Sequence, residues 1–375
     1  MVRAHDLVAV DAAGNSIDNV RSSHGFAIQD FRTPEYEVTA RAESLGPFYV
    51  VEPATVAVDA EYFAGGPLGD AEVDWLVSTS ESSYTPPNRS DYSFGVWTPW
   101  WAFDAGFDAG FDAGFNDSFA GPFGFEDARF ERFSGRTDTS GSHLLQIDFA
   151  DTSDDGATVD QPTTVTAEAT VFDVNRQAIS ARTSLLVHPA EFYIGLRAER
   201  SFVERGEPIV IDAIVVDVDG DAAVGRDAEV TVGRVESTFA GGGYVEEVVD
   251  VQICSITSAD EPTTCEFTTD VGGQYRITAI VIDDDGRQNR AVYTQWVSGA
   301  TAQPTSGVQQ GEVVIVPDAE FHAPGDTAEL LVQAPFAPAT GLMTITRAGI
   351  ETVEVFDAAD GSAVLRIPVE TDDIP

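Results

Sequence analysis

Residues 167–189 read "AEATVFDVNRQAISARTSLLVHP", and residues 278–299 read "TAIVIDDDGRQNRAVYTQWVSG". In each stretch an alternating apolar run leads into an acidic turn, and a second alternating run leads out. Period-two alternation bounded by turn residues is the signature of a β-hairpin with one buried face. The turn carries Asp-x-x-Arg in both, with Arg176-Gln177 and Arg287-Gln288 set 111 residues apart. A repeat at that spacing is the length of a seven-stranded β-sandwich.

The pattern extends outward. "EYEVTARAE" (35–43), "ATVAVDAEYF" (54–63), "AEVDWLV" (71–77), "YVEEVVDVQI" (244–253) and "AELLVQAP" (328–335) alternate in the same way. Between them lie turn signals such as "DAAGN", "GGPLGD", "DVDGD", "APGD" and "AADG". No dozen residues carry a 3.6-residue apolar stripe. The expected fold is all-β: tandem seven-stranded immunoglobulin-like sandwiches, incomplete at both ends. After each hairpin a new unit opens, with Phe202 and Gly206 before one strand and Phe321 and Gly325 before another. This places the last strands of a preceding domain at 1–33 and one unit at 34–189. A second unit follows at 190–300. A linker and the start of a third occupy 301–375, with "SGATAQPTSGVQQ" (298–310) as the polar connection.

The 375 residues hold 63 acidic and 20 basic side chains, for a net charge of −43, and every basic residue is arginine. Such a surface repels phosphates and anionic lipid, which argues against nucleic-acid and membrane-surface partners. Two readings of the acidity stand side by side: a salty habitat, where screening relieves self-repulsion, or a GC-rich genome with an acidic surface. No apolar run is long enough to span a membrane. Cys254 and Cys265 flank a turn-rich segment between two strand-like runs. They read as a hairpin-bridging disulfide in an oxidising compartment, with two free, inert thiols as the alternative.

Nucleophile elbow, Walker, zincin and dinucleotide motifs are missing from the sequence. The histidines at 5, 24, 143, 188 and 322 are scattered, and no cysteine or histidine pair completes a zinc set. His188 precedes Pro189 at a unit boundary, which suits a hinge contact. Asp217, Asp219 and Asp221 begin like a calcium loop. The glycine comes too early and position twelve is Ala228, so a hairpin turn is the expectation. The expectation is therefore no enzyme, no cofactor, no metal and no catalytic residue. Asn88 and Asn116 lie in glycosylation sequons.

The anomaly is an aromatic, glycine-rich insert at about 98–135. Phe94 to Phe133 holds 10 of the 23 phenylalanines and three of the five tryptophans, including three Phe-Asp-Ala-Gly units. Glycines weigh against a helix there, and Asp and Gly weigh against a strand. An irregular or mobile loop is favoured, with the tryptophans anchoring its base. Trp97, Trp100, Trp101, Phe103, Phe107, Phe111 and Phe115 are the candidate contact loop.

In order, "FAIQDFRTPEYEV" (26–38), "YFAGGPLGDAEVDWLV" (62–77), "YTPPNRSDYSFGVW" (84–97), "LLVHPAEFYIGLRAERSFVERGEPI" (185–209), "PDAEFHAPGDTAELLVQAPF" (317–336) and "GLMTITRAGI" (341–350) resemble the alpha-2-macroglobulin family, specifically its large bacterial members. The resemblance covers nearly everything outside the insert. It implies macroglobulin-type sandwiches serving as scaffold in a protease-trapping inhibitor, with target proteases and neighbouring macroglobulin domains as partners. It also implies an extracytoplasmic location. The family's thioester motif, Cys-Gly-Glu-Gln, has no match, since Ser255 follows Cys254 and Glu266 follows Cys265. No functional residue transfers. The alternatives are an immunoglobulin-like adhesin stalk that binds through the aromatic loop, and a carbohydrate-binding module using exposed-looking tryptophans.

Overall fold

A computed structural model describes residues 7–10, 16–22, 34–102, 129–150, 158–240, 243–301, 313–346 and 350–371. The chain is all-β, apart from a single 3-10 turn at Trp100–Ala102 among the described residues.

Strands β1 (Leu7–Val10) and β2 (Ser16–Ser22) form an antiparallel pair. The first sandwich contains β3 (Tyr36–Ala42), β4 (Phe48–Tyr49), β5 (Pro53–Tyr62) and β6 (Glu72–Glu81). Strand β7 (Ser93–Phe94) follows, and then β8 (Arg129–Arg136), β9 (Ser142–Asp148), β10 (Thr163–Phe172) and β11 (Ala178–His188). One sheet runs β3-β5-β9 and the other β4-β11-β10-β6-β8. β7 belongs to neither.

The second sandwich is built from β12 (Phe192–Arg197), β13 (Phe202–Val203), β14 (Ile209–Asp217), β15 (Asp227–Ala240), β16 (Gly243–Thr257), β17 (Thr263–Phe267), β18 (Gly273–Ile282) and β19 (Gln288–Val297). Its sheets run β17-β14-β12-β7 and β13-β19-β18-β15-β16. Setting aside the two-residue strands, both sandwiches have seven strands in the same order among the described residues. A third unit repeats the first five of these places. Its strands are β20 (Val314–Pro317), β21 (Thr327–Gln333), β22 (Ala339–Thr346), β23 (Ile350–Ala358) and β24 (Ser362–Pro368), in sheets β20-β21-β24 and β22-β23.

Alternation builds each core. Val165, Ala167, Ala169 and Val171 of β10 point inward beside Val73, Trp75 and Val77 of β6. Tyr275, Ile277, Ala279 and Val281 of β18 do the same beside Val230 and Val232 of β15. The two inward sets are offset by 110 residues, not 111. The turns agree with that offset. The Asp173 side chain accepts from the Asn175 and Gln177 amides, and the Asp283 side chain from the Asp285 and Arg287 amides. Gln177 therefore stands where Arg287 stands, and Arg176 takes the place of Gly286, both with positive φ. Matching the Arg-Gln dipeptides slips the register by one, which would turn every buried side chain outward.

Two further expectations are corrected. The connection between β6 and β8 spans 82–128, so the insert opens well before residue 98 and closes before 135. The Cys254–Cys265 disulfide exists, but it does not bridge a hairpin. Cys254 lies on β16 and Cys265 on β17, which belong to opposite sheets, so the bond ties the sandwich across its core.

Candidate functional site: an aromatic limb across two junctions

The chain leaving β6 crosses to the second sandwich. Tyr84 packs edge-on against the His188 ring at 4.8 Å and donates its hydroxyl to the Val218 carbonyl at 2.5 Å. Arg89 Nε donates to the Gly220 carbonyl at 2.9 Å. Both acceptors belong to the Asp217–Asp221 turn, whose Asp217 carboxylate accepts from the amides of Asp219 and Asp221. The segment with calcium-like spacing is thus a hairpin turn and a docking ledge. The fit requires glycine at 220: φ is +86°, and a Cβ would stand 2.1 Å from the Pro87 carbonyl oxygen.

Further along, β7 pairs antiparallel with β12, setting Phe94 opposite Gly195. A Cβ at Gly195 would meet the Phe94 ring at 2.7 Å. One residue later the limb bonds to the other sheet. Val292 N donates to the Gly95 carbonyl and Trp97 N to the Val292 carbonyl, both at 2.8 Å. The limb therefore closes the open edge between the two sheets of its neighbour.

It ends in tryptophans. Trp97 stacks on Tyr293 at 4.4 Å between centroids and meets Trp101 at 5.7 Å, while Trp101 meets Trp296 at 5.5 Å and Trp100 at 5.3 Å. Trp97 and Trp101 pack against Phe202, Trp296, Val316 and Leu331. The first two of these belong to the second sandwich and the last two to the third. Such ring pairs contribute about 0.5–1.5 kcal/mol each beyond burial. All three limb tryptophans are half-buried, which removes the exposed stacking platform a carbohydrate module would need. Phe103, Phe107, Phe111 and Phe115 lie outside the described residues.

The first–second junction is an ion-pair cluster. Arg287 is 6% exposed and reaches Asp283 at 2.8 Å, Glu52 at 3.0 Å and Glu191 at 3.4 Å. Its guanidinium lies 4.6 Å over the Tyr49 ring. Burial opposes ionisation of Asp283, but the Glu191 and Arg287 amides and the Arg287 guanidinium outweigh it and hold the carboxyl below its usual range. Beside this cluster His188 is buried and shares a hydrogen bond with Tyr193, and burial lowers its pKa to about 4. A hinge-side place for His188 was legible from the following proline; its tyrosine partners were not.

The second–third junction also carries arginine–carboxylate pairs. Arg200 and Arg366 both pair with Glu329, and Arg366 also reaches Glu204. Ser201 N donates to the Asp318 carbonyl at 3.0 Å, and Gly299 N to the Ser362 hydroxyl at 2.6 Å. Two buried side-chain atoms among the described residues have no hydrogen-bond partner, and both are here: Arg200 Nε and Gln295 Oε1. A buried polar atom left unpaired costs about 1–3 kcal/mol.

Among the described residues no group of histidine, cysteine, aspartate and glutamate is arranged to hold a metal ion. His143 is spent on the Trp75 indole and His322 on Asp318. No described helix is long and apolar enough to cross a membrane. What the arrangement does is mechanical: it joins sandwiches to one another.

Fold and junctions together define a protein of tandem β-sandwiches. The chain resembles the alpha-2-macroglobulins: it is 20% identical over 323 residues to the alpha-2-macroglobulin homolog of Nostoc sp., covering 84% of this chain and 16% of that protein. It is also 24% identical over 190 residues to circularly permutated Ras protein 2 of Dictyostelium discoideum, covering 50% of this chain and 4% of that one. Among solved structures, native Escherichia coli alpha-2-macroglobulin aligns with 94% of this chain and 22% of its own, at a TM-score of 0.47 and 17% identity. The chain thus spans a small part of the curated relatives it matches. No family model matches it.

Proposed function

We propose that this chain is a scaffold segment of an alpha-2-macroglobulin-like endopeptidase inhibitor, an extracytoplasmic protein that traps its target proteases. The likeness over 84% of the chain to a curated alpha-2-macroglobulin homolog carries the reading. The disulfide supports an oxidising compartment. On this reading 34–189 and 190–300 are each one macroglobulin-type unit, and 301–375 begins another. Their role is to hold shape and to transmit movement to neighbouring macroglobulin domains, not to react.

The test uses the whole protein that carries this segment, mixed with an endopeptidase. A trapped protease keeps its activity on a small peptide substrate and loses it on a large protein substrate. Equal activity on both would reject trapping and favour the adhesin-stalk alternative.

A further inference from the structure

We propose that the limb is a clasp on a hinge: Trp97 and Trp101 hold the second–third junction shut, and their withdrawal lets that junction open while each sandwich stays folded. Three independent observations converge on this one place. First, the limb belongs in sequence to the first sandwich, yet its tryptophans fill the cluster of Phe202, Trp296, Val316 and Leu331 that joins the other two. Second, its hold is uneven. Tyr92 is buried among Tyr193, Ile214 and Val216, and Asp91 pairs with Arg197, whereas the tryptophan end is held by a 3-10 turn and half-buried rings. Segments with few buried contacts open at free energies below global unfolding. Third, Arg200 Nε and Gln295 Oε1 are buried at the junction with no hydrogen-bond partner. Opening lets water reach both atoms, which offsets part of the cost of separating the junction.

The two ends of the limb then have different jobs. Tyr84 and Arg89 fix it to the Asp217–Asp221 turn. Trp101 packs against the junction cluster, whereas Trp97 packs against both that cluster and the core of the second sandwich. Movement of the first sandwich against the second pulls on the Tyr84 end and is delivered at Trp101. A displacement at one junction thereby becomes loosening at the next.

Hydrogen exchange on the full chain tests the proposal. Trp101→Ala should speed exchange at the Ser201 and Gly299 amides, which donate across the junction to Asp318 and Ser362, by tenfold or more. The Ile277 and Val230 amides, in the core of the second sandwich, should be unchanged. A second variant guards against misfolding: Tyr84→Phe with Arg89→Ala removes only the far anchor, and should speed the same two junction amides by a few-fold. Unchanged junction exchange in a folded Trp101→Ala chain would overturn the clasp. So would equal acceleration at Ile277 and Val230, because Trp101 would then be ordinary core.

Discussion

His188 Nδ1 and the Tyr193 hydroxyl lie 2.7 Å apart across Pro189, where the first sandwich passes the chain to the second. Tyr49 and Tyr84 close over the same imidazole, and burial pushes the Tyr193 hydroxyl well above its usual range. The phenol therefore stays protonated and the imidazole stays neutral.

That neutrality has a pH signature. The His188 pKa falls from 6.5 to about 4 in the fold. Between those values the unfolded chain takes up a proton that the folded chain refuses. The contribution is complete above pH 6.5 and is lost as pH falls toward 4, amounting to about 3 kcal/mol at most. Denaturant unfolding from pH 7 to 4 should show a steeper loss for the wild type than for His188→Gln. The His188 ring signals in NMR should titrate near 4.

Removing the Arg287 side chain leaves the carboxylate of Asp283 buried and unpaired. Loss of one partner of a buried pair costs about 3–5 kcal/mol. Arg287→Ala should lower the denaturation midpoint accordingly. Arg287→Lys should recover little, because one ammonium cannot reach Asp283 and Glu52 together while covering Tyr49.

At Gly220 the limb and the turn leave no room for a side chain. Gly220→Ala must either move Pro87 or abandon the positive φ, and backbone strain of that kind costs about 1–3 kcal/mol. The expected outcome is a limb displaced from its ledge, with faster proteolysis between Ser82 and Trp97 and a far-ultraviolet spectrum like that of the wild type. Wild-type cleavage rates would show that the limb does not need the ledge.

The Cys254–Cys265 bond closes a short loop across the two sheets. In the chain-entropy model, losing it costs roughly 3 kcal/mol. Cys254→Ser with Cys265→Ser should lower the melting temperature of the second sandwich, and reductant should do the same to the wild type and nothing to the variant.

Much of this was legible in the sequence, for a physical reason. Alternation in β10 and β18 is a direct image of one wet face and one dry face, so all-β followed at once. The repeat was also visible, but its register was not. Arg176-Gln177 and Arg287-Gln288 share letters, whereas Val165 to Val171 and Tyr275 to Val281 share a buried face, and burial sets register. The limb was hidden because a chain that docks on its neighbour needs no periodicity of its own. Its trace lay on the receiving side. Gly195 interrupts an otherwise bulky strand, and an isolated strand glycine marks close approach by another group. Nothing in the order of residues pointed to Trp101 packing against a cluster that includes Val316 and Leu331, more than 200 positions away.

The limb also imposes an order on synthesis. Ser93 and Phe94 complete a sheet whose next member, Phe192 to Arg197, is made about a hundred residues later. At roughly 5–20 residues per second, the three tryptophans are made about 10–40 seconds before Tyr293 and Trp296 exist to receive them. The first sandwich can close its own hairpin meanwhile, with its aromatic limb waiting in solvent. A chaperone that shields indoles during that interval would speed the birth of the protein without ever touching its finished form.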